Sequence, residues 1–341
     1  MTTSEHDTAL TIPDDETLRA AVRLAARAPS VHNTQPWRWV FDGARLHLYG
    51  DNGLRLYATD PHGRQWAMSC GAALHHMRVA FAARGWRTDA VRLPDPDRPD
   101  HLATLRFHPW PDPPAASAAQ ARAIELRYTD RLPLREPGGW SELAPVLRHL
   151  VAPHDVAFDV LNGNGRMCLV ELSRKATAAR RYDPMYRDEL DWWTGIPEAD
   201  EGLPATALTS EAETARVGVA RAFPAVPDTG RRAGLTDASR LVVLGTHDDS
   251  VLRWLHAGEA LSTVLLECTA RGLATCALTH ITELPAARRA LADLLPHRIL
   301  PQVVIRVGIA PQDEQRPRTP RRAVDDIFTV SSHPETTDHR R

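Results

Sequence analysis

Leu18, Val22 and Ala25 fall on one face of residues 16–27, and that spacing predicts a helix. Pro29 ends it, because the residue before a proline avoids helical dihedrals. Pro36 then launches Trp37-Arg38-Trp39-Val40-Phe41, which reads as a strand. Asp42-Gly43 breaks that strand, and residues 44–49 return as the second arm of a hairpin. A long helix is expected over 63–84, stopped by Gly85 at its C′ position. Strands follow at 87–93 and 101–107. Four prolines within residues 108–114 fit neither a helix nor a central strand, so they mark a linker.

Beyond the linker the pattern predicts helices at 117–126, 141–150, 166–181 and 184–193, with a strand at 156–161. Residues 194–209 contain Gly, Pro and acids without a period and read as a long loop or lid. Residues 223–236 are a second irregular run. A strand at 241–245, a helix at 250–271, a strand at 273–279, a helix at 283–295 and a strand at 302–309 complete the series. The tail after Ile309 is polar and proline-rich. The resulting division is 1–110, a linker at 111–116, a second part at 117–330 with its lid at about 194–236, and a tail at 331–341.

The two parts share a pattern. Gly71, Ala73, Leu74, Ala83, Arg84, Gly85 and Thr88 recur in register at Gly258, Ala260, Leu261, Ala270, Arg271, Gly272 and Thr275. Each copy is a long helix, a glycine stop and a strand. Chance recurrence of Ala-rich helices accounts for this less well than duplication of an α+β unit. Two such units in one chain can pack as the subunits of a dimer do.

Composition narrows the classes. The 341 residues are 43% hydrophobic and 25% charged, with a formal charge of -2, so neither nucleic acid nor an anionic membrane is expected as partner. No apolar run approaches the roughly 20 residues of a membrane span. The acidic first fifteen residues lack a signal peptide's apolar core, and Cys70, Cys168, Cys268 and Cys276 show no paired spacing. A cytoplasmic protein with reduced cysteines and no zinc is the expectation.

The stretch Ala28-Pro29-Ser30-Val31-His32-Asn33-Thr34-Gln35-Pro36-Trp37 joins the first helix to the first strand. Prolines at both ends restrict a run rich in polar donors, which suits a polar, planar ligand; an ordinary turn fits the local composition equally well. The stretch resembles the A-P-S-x-x-N-x-Q-P-W segment of flavin-dependent nitroreductases. The wider chain resembles one branch, the Acg family of nitroreductase-like flavoproteins. The matching stretches are residues 28–39, Ser69-Cys70-Gly71-Ala72-Ala73-Leu74, residues 127–132, 186–195, 272–284, and Thr319-Pro320-Arg321-Arg322.

That resemblance implies two fused nitroreductase-like halves, an internal pseudo-dimer, with an inserted lid over one FMN held between them. It places Arg127, Thr129 and Arg131 at the R-x-S/T-x-R positions that hold the FMN phosphate, aided by Arg321 and Arg322. It places Pro29, Ser30 and Asn33 at the flavin ring, and the same loop adds His32, Gln35, Trp37 and Arg38 to the candidate set, with Thr275 from the second half. Alone, Arg127 and Arg131 read as a solvated helix end, and Arg321-Arg322 as a loose basic tail. Their order alongside the Ser30–Asn33 loop favours a phosphate grip, since a dianion suits guanidinium forks and a hydroxyl. The loop occurs once and the R-x-S/T-x-R pattern once, so one FMN per chain is expected.

Other signals are weaker. Asn162-Gly163-Asn164-Gly165 after a strand imitates a dinucleotide fingerprint, but Cys168 stands at the third glycine position. His75 and His76 are adjacent and lack a third spaced ligand, so metal is not expected. Trp192-Trp193 reads equally as packing or as a cap over the flavin. No catalytic acid–base pair is identified. The function implied is an FMN-binding oxidoreductase that takes electrons from NAD(P)H and passes two to a small-molecule acceptor. The alternative is a catalytically silent protein that sequesters FMN beneath a closed lid. The choice of NADH or NADPH, the acceptor, and pairing into a true homodimer stay open at this level.

Overall fold

Two long helices, one from each part of the chain, cross at a pair of glycines, and the sheets are layered outward from them. A computed structural model describes residues 11–195, 201–312, 314 and 318–331. The first part contains α1 (Asp15–Ala25), β1 (Trp37–Phe41), β2 (Leu46–Gly50), α2 (Arg64–Ala82), β3 (Trp86–Arg92) and β4 (His101–Pro109). After it come α3 (Ala115–Leu126), α4 (Trp140–Val151), β5 (Ala157–Val160), α5 (Gly163–Arg180), α6 (Pro184–Trp192) and α7 (Glu211–Ala215). The chain closes with β6 (Arg240–Thr246), α8 (Val251–Ala270), β7 (Ala274–Leu278), α9 (Pro285–Ala292), β8 (Leu300–Gly308), α10 (Val324–Ile327) and β9 (Phe328–Val330). The architecture is α+β.

The strands form two sheets, β3-β4-β2-β1-β9 and β5-β6-β8-β7. Every pairing is antiparallel except β1 with β9, where Trp39 stands beside Phe328. In β1 the period of two turns Trp37, Trp39 and Phe41 into the core and leaves Arg38 on the exposed face. The second sheet is covered on both faces. Val242 and Leu244 of β6 belong to the core under α4 and α8, while Leu241 and Val243 join the core under α5 and α9. Runs such as Leu241-Val242-Val243-Leu244 are therefore apolar without alternation.

Both glycine stops hold the left-handed conformation the pattern required, with φ of +78° at Gly85 and +76° at Gly272. Asn162 explains the dinucleotide-like run: its side chain caps α5 by accepting from Gly165 N at 2.8 Å. The tail is not uniformly irregular. Residues 324–330 form α10 and β9, so the chain's end returns to the first sheet. Likewise Ala123 and Ile124 of α3 lie in the core of the first part. The sequence missed β9 because three residues show no measurable period. Part of the expected lid, residues 196–200, lies outside the described residues, as do residues 332–341.

The helix crossing is a backbone contact. A methyl group on Gly71 would stand 2.2 Å from the Leu255 carbonyl oxygen, and one on Gly258 would stand 2.0 Å from that of Met68. The contact is reciprocal at the offset of the sequence repeat. His75 and Ser262, 187 residues apart, are themselves in contact, with Nδ1 2.7 Å from Oγ. Gly71→Ala or Gly258→Ala should therefore cost at least about 1–3 kcal/mol, because backbone rather than a flexible side chain must move. The two losses should not add, since one separation of the helices relieves both. Urea unfolding of the two single variants and the double variant measures this; unchanged midpoints would refute the crossing.

Candidate flavin site

The loop after α1 is held in an uncommon backbone state. His32, Asn33 and Gln35 have φ of 48°, 60° and 50°, in the left-handed region that non-glycine residues seldom adopt. Such residues cost about 1–3 kcal/mol each and persist only where their surroundings determine them. Here the surroundings do. Asn33 Nδ2 donates to Gly202 O at 3.0 Å and Pro320 O at 3.1 Å, while its Oδ1 accepts from Arg321 at 3.0 Å. Gln35 Oε1 accepts from Arg322 N at 3.0 Å, and Ser30 Oγ accepts from Gln35 N at 3.0 Å. Two segments far from it in sequence, at Gly202 and at 320–322, thus fix one short loop.

Two adjoining cavities meet at this loop and share Pro29, Ser30, Thr129, Arg131 and Leu203. The first is a mainly apolar chamber of about 110 Å³, with Met68, Leu261, Leu278, Val303 and Phe223 in its walls and His32, Gln65, Ser69 and Thr279 as polar lining. The second, of about 650 Å³, is lined by Arg27, Arg127, Arg131, Arg318 and Arg321, with Asn33 and Thr319 beside them. Its one carboxylate, Glu125, is exposed. Among the described residues none of the five arginines forms an ion pair.

These cations are held at a cost. Burial, followed by repulsion from Arg27 and Arg131, pushes Arg127 down to about 10. Burial, followed by Arg127 and Arg27, pushes Arg321 down to about 9. Their Nε atoms are buried without a hydrogen-bond partner, as is Nε2 of His32. His32 lies well below its ordinary value through burial, then through Arg221 and Arg131. Phe223 packs edge-on to His32 at 6.4 Å and lies beneath the Arg131 guanidinium at 5.2 Å.

The structure brings Pro29, Ser30, His32, Asn33, Arg127, Thr129, Arg131 and Arg321 to these cavities. It places five other candidates elsewhere. Trp37 is buried in the core because β1 turns it toward the helices, and Arg38 sits on the opposite face, over Tyr49. Gln35 supports the loop from behind. Thr275 lies in β7 and bridges to Thr129 through the backbone. Arg322 turns to carboxylates, with Nε 3.1 Å from Glu201 and Nη1 3.9 Å from Asp51. Trp192 is 70% exposed and, like Trp193, lines neither cavity. His75 and His76 are at the helix crossing, where both contact Ser262.

The sequence missed Arg27, Arg318, Arg221 and Phe223. Arg318 stands three residues before Arg321, so the basic pair could have been widened. Arg221 and Phe223 lie in or beside an unpatterned run and gave no signal. Arg221 pairs with Glu283 and donates to the Tyr186 hydroxyl at 2.7 Å.

No protein-family model matches the chain. It is 43% identical over 332 residues to a Mycobacterium tuberculosis H37Rv protein named "Putative NAD(P)H nitroreductase acg", matching 97% of this chain and 99% of that one. The chain belongs to the Acg family of nitroreductase-like flavoproteins. A second Mycobacterium tuberculosis H37Rv protein, also named as a putative NAD(P)H nitroreductase, is 37% identical over 321 residues, covering 92% of each chain. Among solved structures, the FMN-dependent nitroreductase NfnB of Mycobacterium smegmatis in complex with NADPH covers 63% of this Acg-family chain and 99% of its own, at 18% identity and a TM-score of 0.40.

Two measurements test the electrostatics. Inorganic phosphate should stabilise the ligand-free protein against heat by about 1–3 kcal/mol through mass action, whereas chloride at equal ionic strength should not. The effect should vanish in the Arg127→Ala/Arg321→Ala double variant; a phosphate effect that survives would place the anion elsewhere. The second concerns histidine. Burial holds His75 and His280 down at about 3, and His32 and His76 well below 6.5. The unfolded chain therefore binds more protons than the folded one once the pH drops below about 6.5. Stability present above that pH should fall on acidification by up to about 1.4 kcal/mol per pH unit for each such histidine. Urea midpoints between pH 7 and 5 report this before carboxylates titrate, and a flat profile would contradict it.

Proposed function

We propose that this chain binds one FMN and acts as a nitroreductase-like oxidoreductase, reduced by NAD(P)H and passing two electrons to a small-molecule acceptor. The observation that carries the reading is the union of the two cavities. An apolar chamber opens, past Ser30, Thr129 and Arg131, into a pocket of arginines without counter-ions. A ligand with a planar ring at one end and a phosphate at the other satisfies both, and the pocket's 650 Å³ lies within the range of about 300–1,000 Å³ usual for small ligands.

In this reading Arg127 and Arg321 grip the phosphate with charge-assisted hydrogen bonds, and a hydroxyl of Thr129 or Ser30 completes the set. Pro29, His32 and Met68 flank the ring, and Arg131 stands where ring and tail meet. The flavin supplies hydride and electron transfer when bound; the protein binds it, orients it and excludes water. The reciprocal crossing of α2 and α8 at the repeat offset supports reading the fold as two fused units, an internal pseudo-dimer with a single site.

A second reading has its own observation. Gly202 N donates to Asn33 O at 3.3 Å while Asn33 Nδ2 donates to Gly202 O, so the segment after residue 200 is pinned across the loop. Leu203 then lines both cavities. A lid fixed in this way would hold the flavin without admitting a nicotinamide. Rapid mixing of the FMN-loaded protein with NADPH and with NADH decides. Fast loss of flavin absorbance supports turnover; none, with reduction by dithionite intact, supports sequestration.

Arg127→Ala with Arg321→Ala should weaken FMN binding by a few kcal/mol, on the order of a hundredfold or more, while Arg322→Ala should change it little. Riboflavin, lacking the phosphate, should bind wild type about as weakly as FMN binds the double variant. Equal affinity for FMN and riboflavin in the wild type would refute the phosphate assignment.

A further inference from the structure

Arg221 and Phe223 line a third cavity as well as the chamber. It measures about 580 Å³ and lies among α5, α6 and the start of α7. Exposed charged side chains, Arg181 and Asp191 among them, belong to its rim. Five other lining residues, Ala176, Tyr186, Leu190, Arg221 and His280, are at most 7% exposed.

Two of these buried residues have hydrogen-bonding capacity that the fold does not use. Ser173 Oγ donates to Ala220 O at 3.2 Å, so His280 Nε2, 2.8 Å from the same oxygen, carries a proton and donates to it. Burial, followed by the Arg221 guanidinium, pushes His280 down to about 3, so the ring is neutral. Its Nδ1 is therefore a bare acceptor, buried and without a partner. The Tyr186 oxygen accepts from Arg221 at 2.7 Å, and its own proton meets no acceptor among the described residues. Arg221 stands beside both groups, and Glu283 balances its charge.

An acceptor and a donor beside one guanidinium restrict what can fill the space. The ligand must bring a proton to Nδ1, because a buried acceptor left unpaired costs free energy. Arg221 opposes a cationic donor. A carboxylate has no proton to give, and the buried wall offers it no cation that is not already paired. A neutral hydroxyl both donates and accepts. Around these groups lie Ala176, Leu190, Phe223 and Pro224, and cavities of this size, within about 300–1,000 Å³, hold apolar bodies oriented by a few polar groups. The flat, rigid side chains of Phe223 and Pro224 suit a planar ring.

We propose that this third cavity binds a neutral hydroxylated aromatic molecule, its hydroxyl donating to His280 Nδ1 and accepting from Tyr186. The site is separate from the flavin chamber and does not depend on the flavin reading.

Matched ligands test this. The full-length protein is titrated calorimetrically with 2-naphthol, with 2-methoxynaphthalene, in which a methyl group replaces the hydroxyl proton, and with 2-naphthoate. 2-Naphthol should bind, and the ether and the carboxylate should each bind about tenfold or more weakly. His280→Leu should abolish the preference for 2-naphthol over its ether, whereas Tyr186→Phe should weaken both alike, with urea midpoints checking that each variant folds. Prior addition of FMN should leave 2-naphthol affinity unchanged. No saturable binding of 2-naphthol, equal affinity for the ether, or tighter binding of the carboxylate overturns the proposal. So does a preference that survives in His280→Leu, or 2-naphthol that FMN displaces, which would put it in the chamber instead. The wild-type ranking needs no variant and decides alone if His280→Leu does not fold.

Discussion

The crossing of α2 and α8 sets the dimensions of the site. Because the contact is backbone on backbone at Gly71 and Gly258, the helices cannot approach further, and any side chain there would part them. That separation brings Met68 of α2 and Leu261 of α8 into the walls of one chamber. Within the crossing turn, Ser69 on α2 accepts from Val31 N at 3.3 Å and ties the polar loop to the same helix. The chamber is therefore a product of helix packing, and the loop is hung on it. A loop substitution would change what the site holds, whereas a glycine substitution at the crossing would change its shape.

The loop is costly to build alone. Three non-glycine residues with left-handed backbone in four positions would not persist in a free turn. What holds them comes from the far end of the chain. Residues 318–322 lie against Asn33 and Gln35, and that segment is anchored because β9 pairs with β1 immediately afterward. The short terminal strand thus has a role beyond completing a sheet edge. It delivers Arg318 and Arg321 to the cationic cavity and locks the backbone that presents Ser30 and His32.

Much of this was legible in residue order. The glycine repeat identified the two crossing helices, and the Pro29-to-Trp37 stretch identified the loop, because both depend on local residue types with strong steric meaning. The resemblance to the Acg family supplied Arg127, Thr129 and Arg131. Side-chain direction was not legible. Arg321 and Arg322 are indistinguishable in sequence, yet only Arg321 faces the cavity; Glu201, more than a hundred residues away, neutralises its neighbour. Trp37 looked like part of the polar loop, but it begins a strand, and the strand's period sends it into the core. Arg221 and Phe223 were invisible because an irregular segment carries no periodic signal.

The buried arginines also separate what the protein has completed within itself from what it leaves to a ligand. Arg221 is buried as deeply as Arg127. Burial acts to lower it, yet Glu283 and Tyr186 more than offset this and raise it above its ordinary value. Arg127 and Arg321 are lowered, because burial and neighbouring guanidiniums act on them in the same direction and no carboxylate opposes either. Desolvating a cation is tolerable when a partner is built in, and several uncompensated cations in one cavity are a standing cost. A fold that balances Arg221 with a carboxylate had the means to balance Arg127 and Arg321 similarly. Leaving them unbalanced is intelligible when their counter-charge arrives with a bound anion, and the mainly apolar chamber next door suits an anion that also carries an apolar body.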